Sequence, residues 1–213
     1  MSSLAPFAIE YCVTRMMASR HQAPERPLIE SGLFAVPSVS GDEMYSWVRD
    51  LFPVPRSLTG PGVRATLSYL GQLLPGLILH EVPSGTRAFD WAVPEEWSIH
   101  DAWVEDERGS RVIDFNKNNL HVVGYSHPLD RWLDLDDLQP HLYSLPDQPN
   151  AIPYITSYYA RRWGFCITHE QREKLKPGQY RAVIKAELKA GVLNYGELIL
   201  QGGDELLPGG VFD

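Results

Sequence analysis

Two adjacent arginines, Arg161 and Arg162, lie inside an aromatic segment that runs from position 151 to 179. The aromatic residues of this segment are Tyr154, Tyr158, Tyr159, Trp163 and Phe165. Aromatic faces attract guanidinium groups, and the planar guanidinium fork binds a carboxylate or phosphate through paired hydrogen bonds. The segment therefore predicts an anion-binding surface. The alternative is an arginine pair that faces solvent beside an aromatic core cluster, and this is the more common arrangement for at least one of the two.

Seven histidines prompt a search for a metal site. His169-Glu170 has no second histidine four residues later, so it does not form the HExxH pair of a metallopeptidase. The isolated histidines are His80, His100, His121 and His141. For each histidine, a hydrogen-bonded structural role is favoured over zinc ligation. The sequence thus predicts no metal ligand and no catalytic residue.

The candidates for nucleophilic chemistry are equally weak. Cys166 lies three positions before His169, a spacing that says little about geometry, and a buried inert thiol is favoured. Ser84 lies in a predicted turn and lacks the surroundings of a GxSxG elbow. We therefore assign no nucleophile.

Three tryptophans, Trp91, Trp97 and Trp103, offer a stacking chemistry instead. Such residues stack on sugars or peptides, or they fill the core, and we expect the core for two of the three. The loop 56–62 precedes a predicted helix, where it would bind an anion at the helix N-terminus or line a substrate pocket. Capping of that helix by Thr59 is the favoured interpretation.

Composition excludes some classes of function. The chain has 213 residues, of which 44% are hydrophobic and 22% are charged, as in an ordinary globular protein. Its net charge of −8 argues against binding to nucleic acid, because a phosphate backbone requires a basic surface. No apolar stretch is long enough for a signal peptide or a membrane span, and the two cysteines suit a reducing compartment. A cytoplasmic location is the expectation.

The elements that position these residues fall into two groups. Residues 1–41 are expected to form an irregular leader. A helix at 42–50, capped by Asp42 or Ser40, and a helix from Pro61 to Leu74 then precede a strand at 77–82.

From position 83 the pattern changes to short strands with frequent turns. The turn 106–109 predicts a hairpin between strands 99–105 and 111–115. A further strand is predicted at 120–125, and Thr168 fits as the N-cap of a short helix. The most regular alternation, at 180–188, predicts a hairpin that turns at Gly191 and returns as 192–200.

Five runs of the sequence resemble, in the same order, bacterial aminopeptidase-like proteins related to the M28 zinc peptidases. The runs are RSLTG with GVR (56–64), HEVPSGT (80–86), FDWAVPEEW (89–97), DFNKNNLHVV (114–123) and PYITSYYARRWGFCITH (153–169). Such proteins carry a β-rich domain of unknown function, of the DUF4910 or DUF2172 type, inserted in the peptidase fold. The resemblance extends from about position 42 to 201.

The resemblance implies an α/β fold: the start of an M28-like (phosphorylase/hydrolase-like) peptidase domain, interrupted by a β-rich inserted domain. The implied parts are a leader at 1–41, peptidase helices and first strand at 42–82, the insert at 83–201, and a truncated or divergent tail at 202–213.

The family's zinc ligands follow the insert, and no histidine occurs after His169. His127-Pro128, which looks like a His-Pro metal motif, falls inside the insert and is rejected as a ligand. The resemblance therefore implies that this chain holds no zinc and is inactive alone. In the complete protein, zinc-dependent hydrolysis of a small peptide or amide substrate is expected.

On this interpretation the insert shapes substrate specificity, with Tyr159, Arg161, Arg162 and Trp163 as the substrate-binding candidates. The alternative is a non-catalytic module that binds peptide or carbohydrate in a surface-polysaccharide pathway. Neither interpretation includes a nucleic-acid or membrane partner. An unpaired strand edge left by truncation would favour a homo-oligomer.

Overall fold

Two helices open the part of the chain that the computed structural model describes, residues 39–200. Helix α1 spans Gly41–Leu51 and begins at Ser40, whose side chain accepts from the Glu43 backbone N–H in a complete capping box. The prediction of a cap at Ser40 is therefore confirmed. The predicted tail at 202–213 and nearly all of the leader at 1–41 lie outside the described residues.

Helix α2 spans Pro61–Leu73, and its N-cap position is Gly60, which makes no side-chain cap. The prediction that Thr59 caps this helix is wrong. Thr59 is buried, and its hydroxyl is used in contacts with the sheet described below. No helix of the described residues is long and apolar enough to span a bilayer.

The remaining elements are mostly strands. They are β1 (Ile78–Pro83), β2 (Arg87–Ala88), β3 (Trp91–Ala92), β4 (Glu96–Asp106), β5 (Arg111–Asp114), β6 (Leu129–Asp134), α3 (Leu135–Leu138), β7 (Leu142–Tyr143), β8 (Phe165–Cys166), α4 (His169–Glu173), β9 (Gln179–Lys189) and β10 (Val192–Glu197). Two short 3-10 helices, Asn119–His121 and Gln139–His141, complete the set. The fold is thus a mixed α/β structure with a predominance of strands.

The largest sheet has the order β5-β4-β9-β6 and is antiparallel throughout. The β4–β5 hairpin confirms the predicted turn at 106–109, where Gly109 has a φ of 77° and the Asp106 carboxylate accepts from the N–H groups of Arg108 and Ser110. These contacts are local, so their sequence signature was sufficient to predict the turn.

The predicted hairpin between 180–188 and 192–200 is wrong. Strand β9 pairs with β4 and β6, whereas β10 pairs with β1 in a separate two-stranded sheet. Strand β9 is a central strand, and its partners come from distant parts of the chain. The predicted strand at 120–125 is wrong too, because Asn118 caps a 3-10 helix there.

The main core lies between the four-stranded sheet and the segment 163–167. Its most deeply buried large side chains are Phe165, Ile113, Leu138, Ile167 and Ile184. Strand β8 supplies Phe165 and pairs in parallel with β7, and Val122 bridges to Phe165. The second half of the aromatic segment is therefore an integral layer of the β-rich domain.

The helical part of the structure, made of α1, α2 and the connector between them, contacts the four-stranded sheet through a close approach of two backbone segments. Gly60 has a φ of 98°, and a Cβ at this position would lie 2.2 Å from the Trp97 carbonyl oxygen. Neither the conformation nor the space suits any other residue.

Replacing Gly60 by alanine should lower the free energy of unfolding by about 2 kcal/mol or more, because the added methyl group meets backbone atoms at a left-handed φ. Gly71 provides the matched control. It lies in α2 with no atom within 4 Å of its Cβ position, so Gly71→Ala should stabilise by up to about 1 kcal/mol. Urea denaturation of both variants measures the difference, and equal effects would contradict the close approach.

Candidate functional site

Trp97 lies at the centre of the contacts between the helical part and the β-rich domain. Its backbone N–H donates to Thr59 Oγ1 at 3.2 Å, and its indole Nε1 donates to the Ser126 carbonyl at 2.9 Å. Thr59 Oγ1 also shares a hydrogen bond of 2.6 Å with the Tyr125 hydroxyl. All of these residues are buried, so these hydrogen bonds define the position of Trp97.

An aromatic row leads from Trp97 to the surface. Trp97 stacks on Tyr125 at 5.8 Å, Tyr125 meets the edge of Tyr158 at 5.8 Å, and Tyr158 contacts Tyr159 at 4.5 Å. Burial raises the pKa of Tyr125 to about 12, so its hydroxyl stays protonated at neutral pH. The row is therefore a continuous series of aromatic contacts from the interior to the surface.

At the outer end of the row lies a shallow pocket of about 180 Å³, which we call the Tyr–Arg surface. Its lining includes Pro94, Glu95, Tyr158, Tyr159 and Arg161. The predicted site residues Tyr159 and Arg161 are thus brought together. The Arg161 side chain is 81% exposed and donates to Glu95 at 3.5 Å, a long surface contact that leaves most of its donors free.

The other two predicted residues are placed differently. Arg162 is exposed, and its backbone carbonyl accepts from the His127 N–H at 3.1 Å. Trp163 is buried, with its ring stacked on His141 at a centroid distance of 3.7 Å. Trp163 therefore supports the segment from within, whereas the two arginines face outward.

A polar cluster forms the second connection between the helical part and the β-rich domain. Arg64 of α2 binds Glu96 of β4 in a fork, at 2.6 and 3.0 Å, and reaches Asn194 of β10 at 3.4 Å. Asn194 in turn donates to Glu81 of β1 at 3.1 Å. The hydrogen bond from Arg64 lowers the pKa of Glu96 despite its burial, so the pair is charged at neutral pH.

Two histidines make hydrogen-bond contacts with backbone carbonyl groups, which is the kind of contact that the sequence favoured for them. His121 is buried and its Nδ1 lies 2.7 Å from the Cys166 carbonyl. His127 Nδ1 lies 3.0 Å from the Arg162 carbonyl, and Asp130 is occupied by Arg181 at 2.8 Å. The sequence motif at 127–130 thus divides its two polar side chains between different partners.

Cys166 is buried, and burial raises the pKa of its thiol to about 12. The predicted burial of this thiol is confirmed, and its inertness stays a prediction. Among residues 39–200, no three His, Cys, Asp or Glu side chains are grouped closely enough to hold a metal ion. The zinc that the family resemblance implies does not fit the donors in this part of the chain.

Sequence reasoning missed the residues that join the two parts, chiefly Thr59, Tyr125 and the Arg64–Glu96 pair. The only signal was the glycine-rich run 56–64, which was interpreted as a helix start. Of the three tryptophans, Trp97 and Trp103 are buried and Trp91 is partly exposed, as expected.

Comparison with known proteins identifies the domain. Residues 96–187 match a family described as a domain of unknown function, DUF2172, and this range closely follows the sheet from β4 to β9. The predicted DUF2172 domain is therefore confirmed.

One relative from Clostridium acetobutylicum is described as a "putative polysaccharide biosynthesis protein with aminopeptidase-like domain". It is 46% identical over 165 residues, which are 78% of this chain and 38% of the relative. A solved structure described as a "putative peptidase" from the same organism has a TM-score of 0.70 and 46% identity. The matched region covers 73% of this chain and 37% of the chain in that structure. The resemblance to aminopeptidase-like proteins is confirmed, and this chain spans little more than a third of these relatives.

Stability measurements distinguish the inward and outward members of the predicted site. Arg162→Ala should change the free energy of unfolding by less than about 0.5 kcal/mol, because the side chain is exposed. Trp163→Ala should cost about 3–5 kcal/mol, because it removes a buried ring from a stack. Thermal unfolding of the two variants is the measurement, and a large loss in Arg162→Ala would assign that arginine to the structural cluster.

Acidification should weaken the Arg64–Glu96 ion pair that joins α2 to β4. Because the pKa of Glu96 is lowered on folding, its contribution is complete above the ordinary value of 4.5 and is lost as the pH falls through the lowered pKa. Glu96→Gln should be less stable by about 1–2 kcal/mol at neutral pH, and should lose less stability than wild type between about pH 6 and about pH 3. Denaturant unfolding at several pH values tests this, and parallel pH profiles would refute it.

Proposed function

We propose that this chain is the N-terminal portion of an aminopeptidase-like zinc hydrolase of the M28 type. Its β-rich domain would border the substrate cleft, and the catalytic centre would lie in the remaining part of the enzyme. The observation that carries the proposal is the 46% identity to a protein described as having an aminopeptidase-like domain. When bound there, zinc would supply the activated water for peptide or amide hydrolysis.

The pairing of the first and last strands of the described structure, β1 and β10, supports the insertion of a β-rich domain into a larger fold. Strand β1 pairs with β10 along its whole length, with Ile78 opposite Glu197 and Pro83 opposite Val192. The chain therefore enters and leaves the β-rich domain at one place. Such adjacency is what an inserted domain requires.

The exposed apolar residues also support a larger assembly. Exposed large apolar residues occur on α1, after α2, on β1 and after β10: Met44, Tyr45, Val48, Phe52, Leu74, Ile78, Leu79, Leu198, Ile199 and Leu200. Helix α1 has no buried residue, whereas the β-rich domain has a closed core. Exposed apolar side chains in such numbers are typical of interfaces, and the partner we propose for them is the body of the hydrolase. In this chain by itself, the same residues would favour self-association.

The Tyr–Arg surface is the part of this chain that would reach substrate. The Tyr159 ring, 60% exposed, offers a stacking face, and Arg161 offers a charged fork beside it. Together they would contact the backbone or carboxylate of a small peptide. Arg162 would extend the positive charge, and Trp163 would hold the segment in place from the interior.

Binding of short unblocked peptides to purified 1–213 tests this role by NMR titration. Arg161→Ala and Tyr159→Ala should each weaken binding by about 5–10-fold. Arg131→Ala, at an exposed position on β6, is the matched control and should have no effect. Unchanged binding in Arg161→Ala would contradict a role in substrate contact.

The location of the catalytic centre is tested separately. Purified 1–213 should contain no stoichiometric zinc by elemental analysis and should not cleave an aminoacyl p-nitroanilide. Stoichiometric zinc or steady cleavage would place the centre within this chain and overturn the proposal.

A second candidate function is a non-catalytic module that binds carbohydrate. It is favoured by the polysaccharide biosynthesis named in the description of the relative, and by the stacking faces of the aromatic row. The same titration with polysaccharide fragments separates the two candidates. Binding of oligosaccharide without binding of peptide would favour the module.

A further inference from the structure

A cavity lies between the α1–α2 connector and the β-rich domain at Trp97, and its lining residues differ from those of the Tyr–Arg surface. Its volume is about 410 Å³, within the range of small-molecule sites. It is lined by Phe52, Val54, Pro55, Arg56, Trp97, Phe115, Asn119, Leu120, Val122, Gly124 and Tyr154. The only charged side chain in this lining is Arg56, and most of the others are apolar. We call it the Arg56 cavity.

One wall of the Arg56 cavity is the connector 52–56 between α1 and α2, and this wall is held at both ends. At one end, Asn119 Nδ2 donates to the Phe52 carbonyl at 2.7 Å. At the other end, Gly62 packs so closely that a Cβ there would lie 2.2 Å from the Pro55 carbonyl oxygen and 3.2 Å from Arg56 Cα. The backbone that carries Arg56 is therefore fixed before any ligand arrives, which lowers the entropic cost of binding.

The Arg56 guanidinium is available to a ligand. Its single hydrogen bond is a long one, 3.3 Å from Nη1 to the Leu51 carbonyl, and no carboxylate of residues 39–200 pairs with it. It interacts electrostatically with the exposed Tyr154, another lining residue.

The shape and charge of the cavity define the class of ligand. One guanidinium fork matches one carboxylate in both geometry and charge, whereas a phosphate dianion would keep an unbalanced charge because the lining has no second cation. The Trp97, Phe115 and Leu120 side chains match an aromatic or large aliphatic group. Asn119 Nδ2 is already engaged with the Phe52 carbonyl, which leaves Arg56 as the principal polar anchor.

We propose that the Arg56 cavity binds a carboxylate ligand with an aromatic or large aliphatic group, such as an N-acylated amino acid or a peptide C-terminus. Arg56 holds the carboxylate, and the apolar group lies against Trp97. This site is separate from the Tyr–Arg surface and does not depend on the hydrolase proposal.

The test compares N-acetyl-L-phenylalanine with its C-terminal amide by NMR titration of purified 1–213, following the backbone and indole N–H signals. The acid should bind at least about tenfold more tightly than the amide, and the shifts should map to the cavity lining, including the Trp97 indole. Arg56→Gln should reduce acid binding to the level of the amide. Arg56→Lys should retain part of the preference, since it keeps the charge and loses the fork.

Three further variants control for indirect effects. Arg49→Gln, at an exposed position on α1, should bind as wild type does. Arg131→Ala, at an exposed position on β6, should also leave the preference intact. Val54→Trp should fill the cavity and reduce the binding of acid and amide alike, with Arg56 still present.

The proposal is overturned by equal binding of acid and amide to the wild-type chain, or by no saturable binding up to about 10 mM. It is equally overturned by shifts that map only to the Tyr–Arg surface and leave the signals of the cavity lining unperturbed. Unchanged melting temperatures in the Arg56 variants establish that any loss of binding is a loss of contact.

Discussion

The buried hydroxyl of Thr59 is the contact on which the arrangement of this protein depends. It accepts from the Trp97 backbone N–H and shares a hydrogen bond with the Tyr125 hydroxyl, so one oxygen atom joins the α1–α2 connector to the sheet and to the loop before β6. At this depth an unpaired donor or acceptor would cost about 1–3 kcal/mol. The conformation of Gly60 follows from the same contact, because only glycine passes the Trp97 carbonyl at this distance.

The two rings of the Trp97–Tyr125 stack line two different pockets. On the side of Trp97 lies the Arg56 cavity, which is largely apolar, and on the side of Tyr125 lies the shallow Tyr–Arg surface. Each side offers one arginine with free donors, but the settings differ in polarity and enclosure. A displacement of Trp97 would alter both the Arg56 cavity and the Tyr–Arg surface. The hydrogen-bonded Trp97–Tyr125 stack therefore supports both proposed binding sites.

The two halves of the described structure differ in how their apolar surface is covered. The β-rich domain is closed, with Phe165, Ile167 and Leu138 fully enclosed between sheet and aromatic segment. Helix α1 and the ends of β1 and β10 leave much of theirs open. The Arg64–Glu96 pair joins the closed half to the open half, and a forked, largely buried carboxylate pair restricts rotation better than apolar contact does. The closed half corresponds closely to the DUF2172 domain.

The sequence by itself determined the features whose contacts span a few residues. The sequence predicted a cap at Asp42 or Ser40, the capping box at Thr168, the turn at 106–109 and the burial of Cys166. Each of these rests on a local hydrogen-bonding pattern or a simple environment. Two residues of the predicted site, Tyr159 and Arg161, line one pocket, and their role in binding stays a prediction. The sequence also carried the resemblance to aminopeptidase-like proteins.

Only the tertiary structure decided which strands pair and which side chains face inward. Strand β10 follows β9 directly, yet it pairs with β1, more than a hundred positions earlier, and no local pattern records such a choice. Thr59 is of a residue type that often caps helices, but in the folded protein its hydroxyl is buried and binds two other partners, the Trp97 N–H and the Tyr125 hydroxyl. For the same reason Trp163 points into the core while its neighbour Arg162 does not. Pairing and burial depend on atoms brought together by folding, and the residue types alone do not specify them.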